Sequence, residues 1–256
     1  MGLDMDRLGR AAKAGLRSIG DFVWPPRSLV TGQSHAGQGL IPPEDFARLA
    51  FLNGSGCRSC AMPAESDLGD ATLCGACAAN PPPWHAARAA VEYDEASRKA
   101  VLDLKRAGRR DGLPVFAAWM ALAGADLLAD ADLIVPVPLH YRRLASRGFN
   151  QSGWLATALS KRTELPACND ALVRRKPTPS QGGLTARERR KNVRGAFAIR
   201  PSRAARIEGA HVVLIDDVYT TGATLSACTR ALNKGKAASV SVLVLARVVR
   251  PTDVTI

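Results

Sequence analysis

Two short strings in this sequence carry residue types at spacings that can do chemistry. The first is a pair of CxxC units, Cys57 with Cys60 and Cys74 with Cys77, separated by thirteen residues. Two such knuckles can set four thiolates tetrahedrally around one ion, and zinc prefers soft thiolates in closed structural sites. Disulfides are the competing reading, which a reducing compartment disfavours. Cys168 and Cys228 stand apart and read as small buried hydrophobes.

The second string is VVLIDDVYTTGAT, Val212 to Thr224. An apolar run delivers two consecutive carboxylates, Asp216 and Asp217, to the C-terminal end of a strand, where ligands bind in open α/β sheets. Thr220, Thr221, Gly222, Ala223 and Thr224 then supply three hydroxyls and a glycine just before a helix. Backbone N–H groups, hydroxyls and the helix dipole converge there on one anion, and Gly222 permits the tight turn. Acids beside a phosphate cup make sense for a ribose 5-phosphate, whose diol donates to carboxylates while the cup holds the phosphate. A P-loop NTPase also has an apolar strand ending in acids, but no GxxxxGK[ST] loop occurs in the 256 residues, nor does GxGxxG. The plain reading, a solvated turn with threonine caps, competes with the cup.

These strings need elements to hold them. Strand-like Ala86 to Tyr93 precedes a helix from Glu95 to Arg106, and Leu113 to Ala129 predicts one buried helix. Leu133 to Val137 reads as a strand closed by Pro138, and Asn150 as the N-cap of a helix bearing Trp154, Leu155, Ala158 and Leu159. Leu172 to Arg175 and Ala196 to Arg200 read as strands around a polar excursion in which Thr185 to Glu188 has capping-box spacing. Strand Val212 to Asp216, helix Ala223 to Asn233 stopped by Gly235, and strand Val240 to Ala246 complete an alternation that argues for a parallel sheet with helices packed on it. Upstream lie a weakly amphipathic segment (Leu3, Leu8, Ala12, Leu16, Ile19) and a Gly/Pro-rich stretch from Pro25 to Pro43. The run Pro81 to Pro83 is stiff enough to separate the cysteine block from the α/β part.

Composition narrows the class. Hydrophobic residues are 46% and charged residues 23%, enough to bury a core. The longest apolar run, Val115 to Ala125, is 11 residues, too short to span a bilayer, so membrane insertion is not expected. The N-terminus shows no secretory pattern, which makes the cytoplasm the expected location. Lys plus Arg number 35 against 23 acids, a net charge of +12 that points to an anionic partner. Eight of those bases lie between Arg174 and Arg194, with Glu188 the one acid among them.

The Val212–Thr224 string resembles the phosphoribosyl pyrophosphate (PRPP) motif of type I phosphoribosyltransferases. With the cysteine block running into NPPPW (Asn80 to Trp84), DLKRAG (Asp103 to Gly108), VPVPLHYRRLASRGFNQS (Val135 to Ser152) and SQGGLTARERRKNVRGAF (Ser180 to Phe197), the chain is similar to ComF family proteins. That resemblance implies an α/β type I phosphoribosyltransferase-like parallel sheet flanked by helices, with a small N-terminal four-cysteine zinc-ribbon module. The expected division is an extension with a degenerate first ribbon half at 1–50, the four-cysteine ribbon at 51–84 and the phosphoribosyltransferase-like domain at 85–250.

The resemblance also assigns roles. Asp216 and Asp217 would contact the ribose hydroxyls and Thr220 to Thr224 the 5′ phosphate. Arg142, Arg147, Asn150 and Gln151 would bind pyrophosphate, although Arg142, Arg143 and Arg147 also read as a solvated basic face. Gln181, Arg187, Arg190 and Asn192 would sit on a closing loop, whose plain alternative is an unstructured basic loop. Lys105 would reach the phosphates or simply lie on a helix surface. Relatives often carry a first CxxC after a proline pair. Here Pro25 and Pro26 lead into Arg27, Ser28, Leu29, Val30 and Thr31, and hydroxyls are poor zinc ligands, so one zinc site is expected.

The implied activity is that of a pentosyltransferase moving a phosphoribosyl group from PRPP, with Mg2+, to a nitrogen acceptor whose identity and base the sequence does not give. A second function class is a non-catalytic or PRPP-regulated factor handling single-stranded DNA during natural competence, together with DNA-uptake proteins. Charge fits either, and an aromatic content of 5% offers few stacking platforms for bases. A zinc-stabilised scaffold with a vestigial site is the plain third option.

Overall fold

Two strands leave themselves no exposed face. β5 (His211–Tyr219) and β6 (Ser239–Arg247) are almost wholly buried, as parallel strands covered by helices on both sides must be. They take β1 (Ala87–Glu92) beyond β6 and β2 (Leu133–Pro136) beyond β5, all parallel, in the order β1-β6-β5-β2. Ile134 also bridges Ala167 in parallel on the outer side of β2. The computed structural model describes residues 26–35, 39–52, 56–64, 73–106, 110–139, 144–145, 148–175, 193 and 195–249. The amphipathic segment Leu3 to Ile19 and the capping-box string Thr185 to Glu188 lie outside the described residues.

In chain order the helices are α1 (Pro43–Phe46), α2 (Gly75–Ala79), α3 (Glu95–Arg106), α4 (Leu113–Ala123), α5 (Ala125–Ala129), α6 (Gln151–Thr163), α7 (Ala204–Ile207) and α8 (Ala223–Lys234). β3 (Leu172–Arg174) and β4 (Phe197–Ile199) form a separate antiparallel pair at the two ends of the polar excursion. Residues from α3, α4, α5 and α6 build the core on one side of the sheet. On the other side α8, β3, β4 and three of the paired cysteines share a core with Val212, Leu214, Val242 and Val244.

Local chemistry explains the element ends. Asp94 caps α3 reciprocally: its Oδ1 accepts the Ser97 N–H at 2.9 Å while Ser97 Oγ accepts the Asp94 N–H at 3.0 Å. Ala100, Val101 and Leu104 then form its buried stripe. Two expectations need correction. The single helix from Leu113 to Ala129 is two, α4 and α5, joined at Gly124, where a side chain would come within 2.8 Å of Leu243. Nor is the first of these wholly buried, since Leu122 is 80% exposed. The strand expected to end at Asp216 continues to Tyr219, because β6 keeps pairing with it through Tyr219↔Arg247 after β2 has stopped at Pro136↔Ile215.

Upstream, Ser28 and Thr31, which the resemblance assigns to a degenerate ribbon half, are held by hydrogen bonds. Ser28 Oγ donates to Asp45 Oδ2 at 2.5 Å and Thr31 Oγ1 donates to the same oxygen at 2.8 Å. Ser28 Oγ in turn accepts the Val30 and Thr31 N–H groups. Asp45 is buried on α1, and the Ser28 hydroxyl, then Thr31, Arg48 and His35, hold its carboxyl below the ordinary range against the cost of burial. A depressed folded pKa stabilises above the unfolded value and loses that contribution as pH falls through the folded one. Asp45→Ala strips two hydroxyl donors of their acceptor. It should cost roughly 2 kcal/mol, read as a lower urea midpoint with an unchanged m-value and unchanged metal content.

Candidate functional site

The four paired cysteines converge. The Sγ atoms of Cys57, Cys60, Cys74 and Cys77 all lie within 4.8 Å of one another, and Cys60 Sγ is 3.7 Å from Cys74 Sγ. Tetrahedral zinc with sulfur ligands at about 2.3 Å has sulfur–sulfur edges of about 3.8 Å, so the set could hold a metal ion and is consistent with zinc. Its first turn is made by the Cys60 and Ala61 N–H groups bonding to the Cys57 carbonyl. Burial works against ionisation of Cys57, but hydrogen bonds to the backbone of Cys74, Ser59 and Cys60 bring it down to about 7. Burial pushes Cys60 up to about 11. Trp84 Nε1 donates to the Ser59 carbonyl at 2.6 Å and the Ala87 N–H to the Arg58 carbonyl at 2.7 Å, so the knuckle packs directly on the sheet.

The acid pair sits where β5 outruns β2. Neighbouring strand residues ordinarily point to opposite faces, yet both carboxylates reach the start of α6. Ser152 Oγ donates to Asp216 Oδ1 at 2.9 Å and Gln151 Nε2 to Asp217 Oδ2 at 3.0 Å. Core membership shows how: Leu214 belongs to one core and Ile215 to the other, but past the acids Val218 joins the core of Ile215 and Tyr219 that of Leu214. The alternation reverses across Asp216 and Asp217. Asp216 is half-buried, and burial, then the charge of Asp217, pushes its carboxyl up to about 7 against Ser152, the Asp217 N–H and Lys105. Asp217 is 5% exposed, its carboxylate turned toward protein groups.

Of the residues expected to meet phosphates, Lys105 instead reaches the acids. Its Nζ is 3.4 Å from Asp217 Oδ2 with the side chain 15% exposed, so it is no surface lysine. Asn150 does precede α6, but its Nδ2 donates to the Val137 carbonyl at 3.1 Å and makes no cap bond. The Asn150 and Gln151 amide oxygens are buried without a hydrogen-bond partner among the described residues. Arg142, Arg143, Arg147, Gln181, Arg187, Arg190 and Asn192 lie outside the described residues.

The threonine string leads into α8. Gly222 precedes the helix at φ 72°, and a side chain there would fall 2.9 Å from the Tyr219 ring and 3.2 Å from Trp84. Thr221 is exposed, Thr220 and Thr224 half-buried, Gly222 and Ala223 buried. The Ser226 N–H bonds to the Gly222 carbonyl, closing the first turn of the helix.

From this cup a groove of about 1690 Å³ runs along α8 past Ser226, Ala227 and Arg230 to Lys234. Pro81 to Pro83, Trp84 and Phe197 also line it, and Arg175 faces it from beside β3. It does not include the acids. Two further residues matter that spacing did not single out. Ser152 orients Asp216. Buried Arg247 donates to the carbonyls of Cys60 (2.9 Å), Tyr219 (3.1 Å), Thr220 (3.0 Å) and Val248, tying the knuckle to the cup. A basic residue closing the apolar run of β6 was the available signal, since arginine is almost never buried without partners.

Comparison with known proteins supports this reading. The Phosphoribosyl transferase domain family matches residues 131–254. DNA utilization protein YhgH of Escherichia coli O157:H7 is 32% identical over 210 residues, 78% of this chain and 88% of that protein. The chain belongs to the ComF-like family. Competence protein F of Haemophilus influenzae is 38% identical over 116 residues, 45% of this chain and 50% of its own length. Competence protein ComFC of Bacillus subtilis is 30% identical over 165 residues, 62% and 63% of the two chains. This ComF-like chain therefore joins a phosphoribosyltransferase-type parallel sheet to a four-cysteine knuckle, and none of its described helices is long and apolar enough to cross a membrane. Metal analysis of purified protein should return one equivalent of zinc per chain, lost on Cys60→Ser. Two equivalents would overturn the account of Ser28, Thr31 and Asp45.

Proposed function

We propose that this protein binds PRPP and transfers its phosphoribosyl group to a nitrogen acceptor, with zinc in the knuckle as a structural ion. The observation that carries the reading is a carboxylate pair and, four residues on, a threonine–glycine turn that opens a helix, both at the C-terminal end of one parallel strand. In this reading the amides and hydroxyls of Thr220 to Thr224 hold the 5′ phosphate, and the acid pair takes the sugar diol. The amide oxygens of Asn150 and Gln151, buried with no hydrogen-bond partner among the described residues, are hard oxygen donors of the kind that suits magnesium, directly or through water. Magnesium, bound with the substrate, would neutralise pyrophosphate oxygens. The C1–O bond breaks with its electron pair leaving on pyrophosphate, and the acceptor nitrogen supplies the pair of the new bond. Arg142, Arg147, Arg187 and Arg190 are assigned to the departing charge, and Asp216 to the positive charge developing on the sugar.

The groove favours a second reading. Its walls hold Arg175, Arg230, Lys234 and Arg247 and no acid among the described residues, and its volume is several times what a free base needs. Relatives are named for DNA utilization and competence, and a single strand lying along α8 would meet cations at intervals over roughly 18 Å. Handling of single-stranded DNA, by a chain located in the cytoplasm and working with DNA-uptake proteins, is the alternative this surface supports.

Calorimetry with PRPP and magnesium should show saturable binding in wild type and at least tenfold weaker binding in Gly222→Ala, whose new methyl strains the positive φ and meets Tyr219. Pyrophosphate released with some base or amine completes the enzyme reading. Binding without release for every acceptor would leave the strand-handling alternative. For that alternative, single-strand affinity should survive physiological salt and fall about tenfold in Arg230→Glu with Lys234→Glu. Affinity that vanishes by physiological ionic strength reports nonspecific charge alone.

A further inference from the structure

The first cysteine turn and the threonine cup share their fastenings. Within the turn, each main-chain carbonyl from Cys57 to Cys60 accepts a hydrogen bond. That of Cys57 takes the Cys60 and Ala61 N–H groups, and that of Arg58 takes the Ala87 N–H at the start of β1. The other two are taken by side chains that also touch the cup. Trp84 Nε1 donates to the Ser59 carbonyl at 2.6 Å, and the same ring meets Tyr219 edge-on and stands 3.2 Å from where a side chain at Gly222 would begin. Arg247 Nε donates to the Cys60 carbonyl at 2.9 Å, while its Nη1 donates to the carbonyls of Tyr219 at 3.1 Å and Thr220 at 3.0 Å.

Those last two bonds fix more than the carbonyls. In a trans peptide the C=O and the following N–H point in opposite directions within one plane. Drawing the Tyr219 and Thr220 carbonyls onto one guanidinium therefore turns the Thr220 and Thr221 N–H groups away from it. The Val248 N–H braces the Tyr219 carbonyl as well, at 3.0 Å. A guanidinium is a rigid planar fork, so its Nε and Nη1 bonds cannot be re-aimed independently. A shift of the Cys60 carbonyl tilts the same plane that holds Thr220.

Resting on the phosphoribosyl reading and on zinc in the knuckle, we propose that Arg247 is a positioning residue that couples the two sites: a cysteine turn closed around the metal sets the guanidinium, and the guanidinium sets the two amides that open the cup. Trp84 adds a second link through Ser59. Four thiols without an ion lose the bonds that tie Cys57 and Cys60 to Cys74 and Cys77, and the Cys60 carbonyl can then draw away from Nε. Metal and phosphate binding favour one another in this scheme. Such coupling is reciprocal, so each ligand raises the affinity of the other by the same factor, about tenfold for a coupling of ordinary size. A merely structural Arg247 would change stability and leave the two affinities independent.

The experiment measures zinc affinity by competition with a zinc-selective chelating dye, with and without saturating PRPP and magnesium. PRPP should tighten zinc about tenfold in wild type and leave it unchanged in Arg247→Met, which should still carry one zinc per chain. Calorimetry reads the reverse direction: zinc removal should weaken PRPP binding by the same factor in wild type and not in Arg247→Met. Equal coupling in the two proteins, or none in wild type, would overturn the proposal, as would a chain that takes up no zinc. If PRPP binds to neither protein, the phosphoribosyl reading fails. Amide hydrogen exchange across Thr220 to Thr224 then decides the coupling, since it should quicken both in zinc-loaded Arg247→Met and in wild type stripped of zinc, and unchanged exchange refutes it. Thermal melting checks each protein. Should Arg247→Met not fold, Arg247→Lys, which keeps the charge but not the fork, supplies the same comparison.

Discussion

A buried guanidinium bonded to carbonyls rather than to a carboxylate is the constraint around which this molecule is arranged. Arg247 ends β6, the most enclosed strand, and its donors go to the carbonyls of Cys60, Tyr219, Thr220 and Val248. Carbonyls at strand ends must be paired once buried, and here one side chain pairs those of three separate segments. Its charge also stacks on the Tyr219 ring, 4.1 Å from the centroid. Tyr219 meets Trp84 edge-on, and the two rings are what would crowd a side chain at position 222. Knuckle, last strand and cup are thus one packed unit. Four thiolates around a divalent ion would carry net negative charge, an anionic counterpart to Arg247 in the same knuckle whose Cys60 carbonyl it bonds.

The acids obey a different constraint. A regular strand would send Asp216 and Asp217 to opposite faces, one into each core, where neither could share a ligand with the other. The reversal of alternation between Ile215 and Val218 resolves this, and it falls where β2 has left the outer edge of β5, so that α6 rather than a strand lies against the twist. The first residues of α6 supply the compensating hydrogen bonds. The acid pair thus lies where the sheet is locally incomplete.

Much of this was legible in the sequence because the signals were local. Unbroken apolar runs gave β1, β2, β5 and β6. The helical stretch from Glu95 to Arg106 was read with the bounds that the structure shows, and the two CxxC units located the knuckle. What escaped depended on distance or neighbours. The break at Gly124 arises from contact with Leu243, more than a hundred residues away. The true end of β5 is set by pairing to β6, which no periodicity within β5 reveals. Lys105 illustrates the limit best. On its own helix it resembles any lysine of an amphipathic stretch, and only the packing of α3 beside β5 shows that it faces an acid.

That placement bears on a difficulty common to any site that must receive phosphates beside carboxylates. Two bare acids next to the cup would repel pyrophosphate, and arginines set between the acids and the ligand would be drawn to both. Neutralising one acid from behind avoids both problems. Lys105 approaches Asp217 from α3, on the core side opposite the groove, so that the groove lining along α8 keeps its cations with no acid among the described residues. A surface of that sign attracts anions, while Asp216 keeps one oxygen without a hydrogen-bond partner among the described residues.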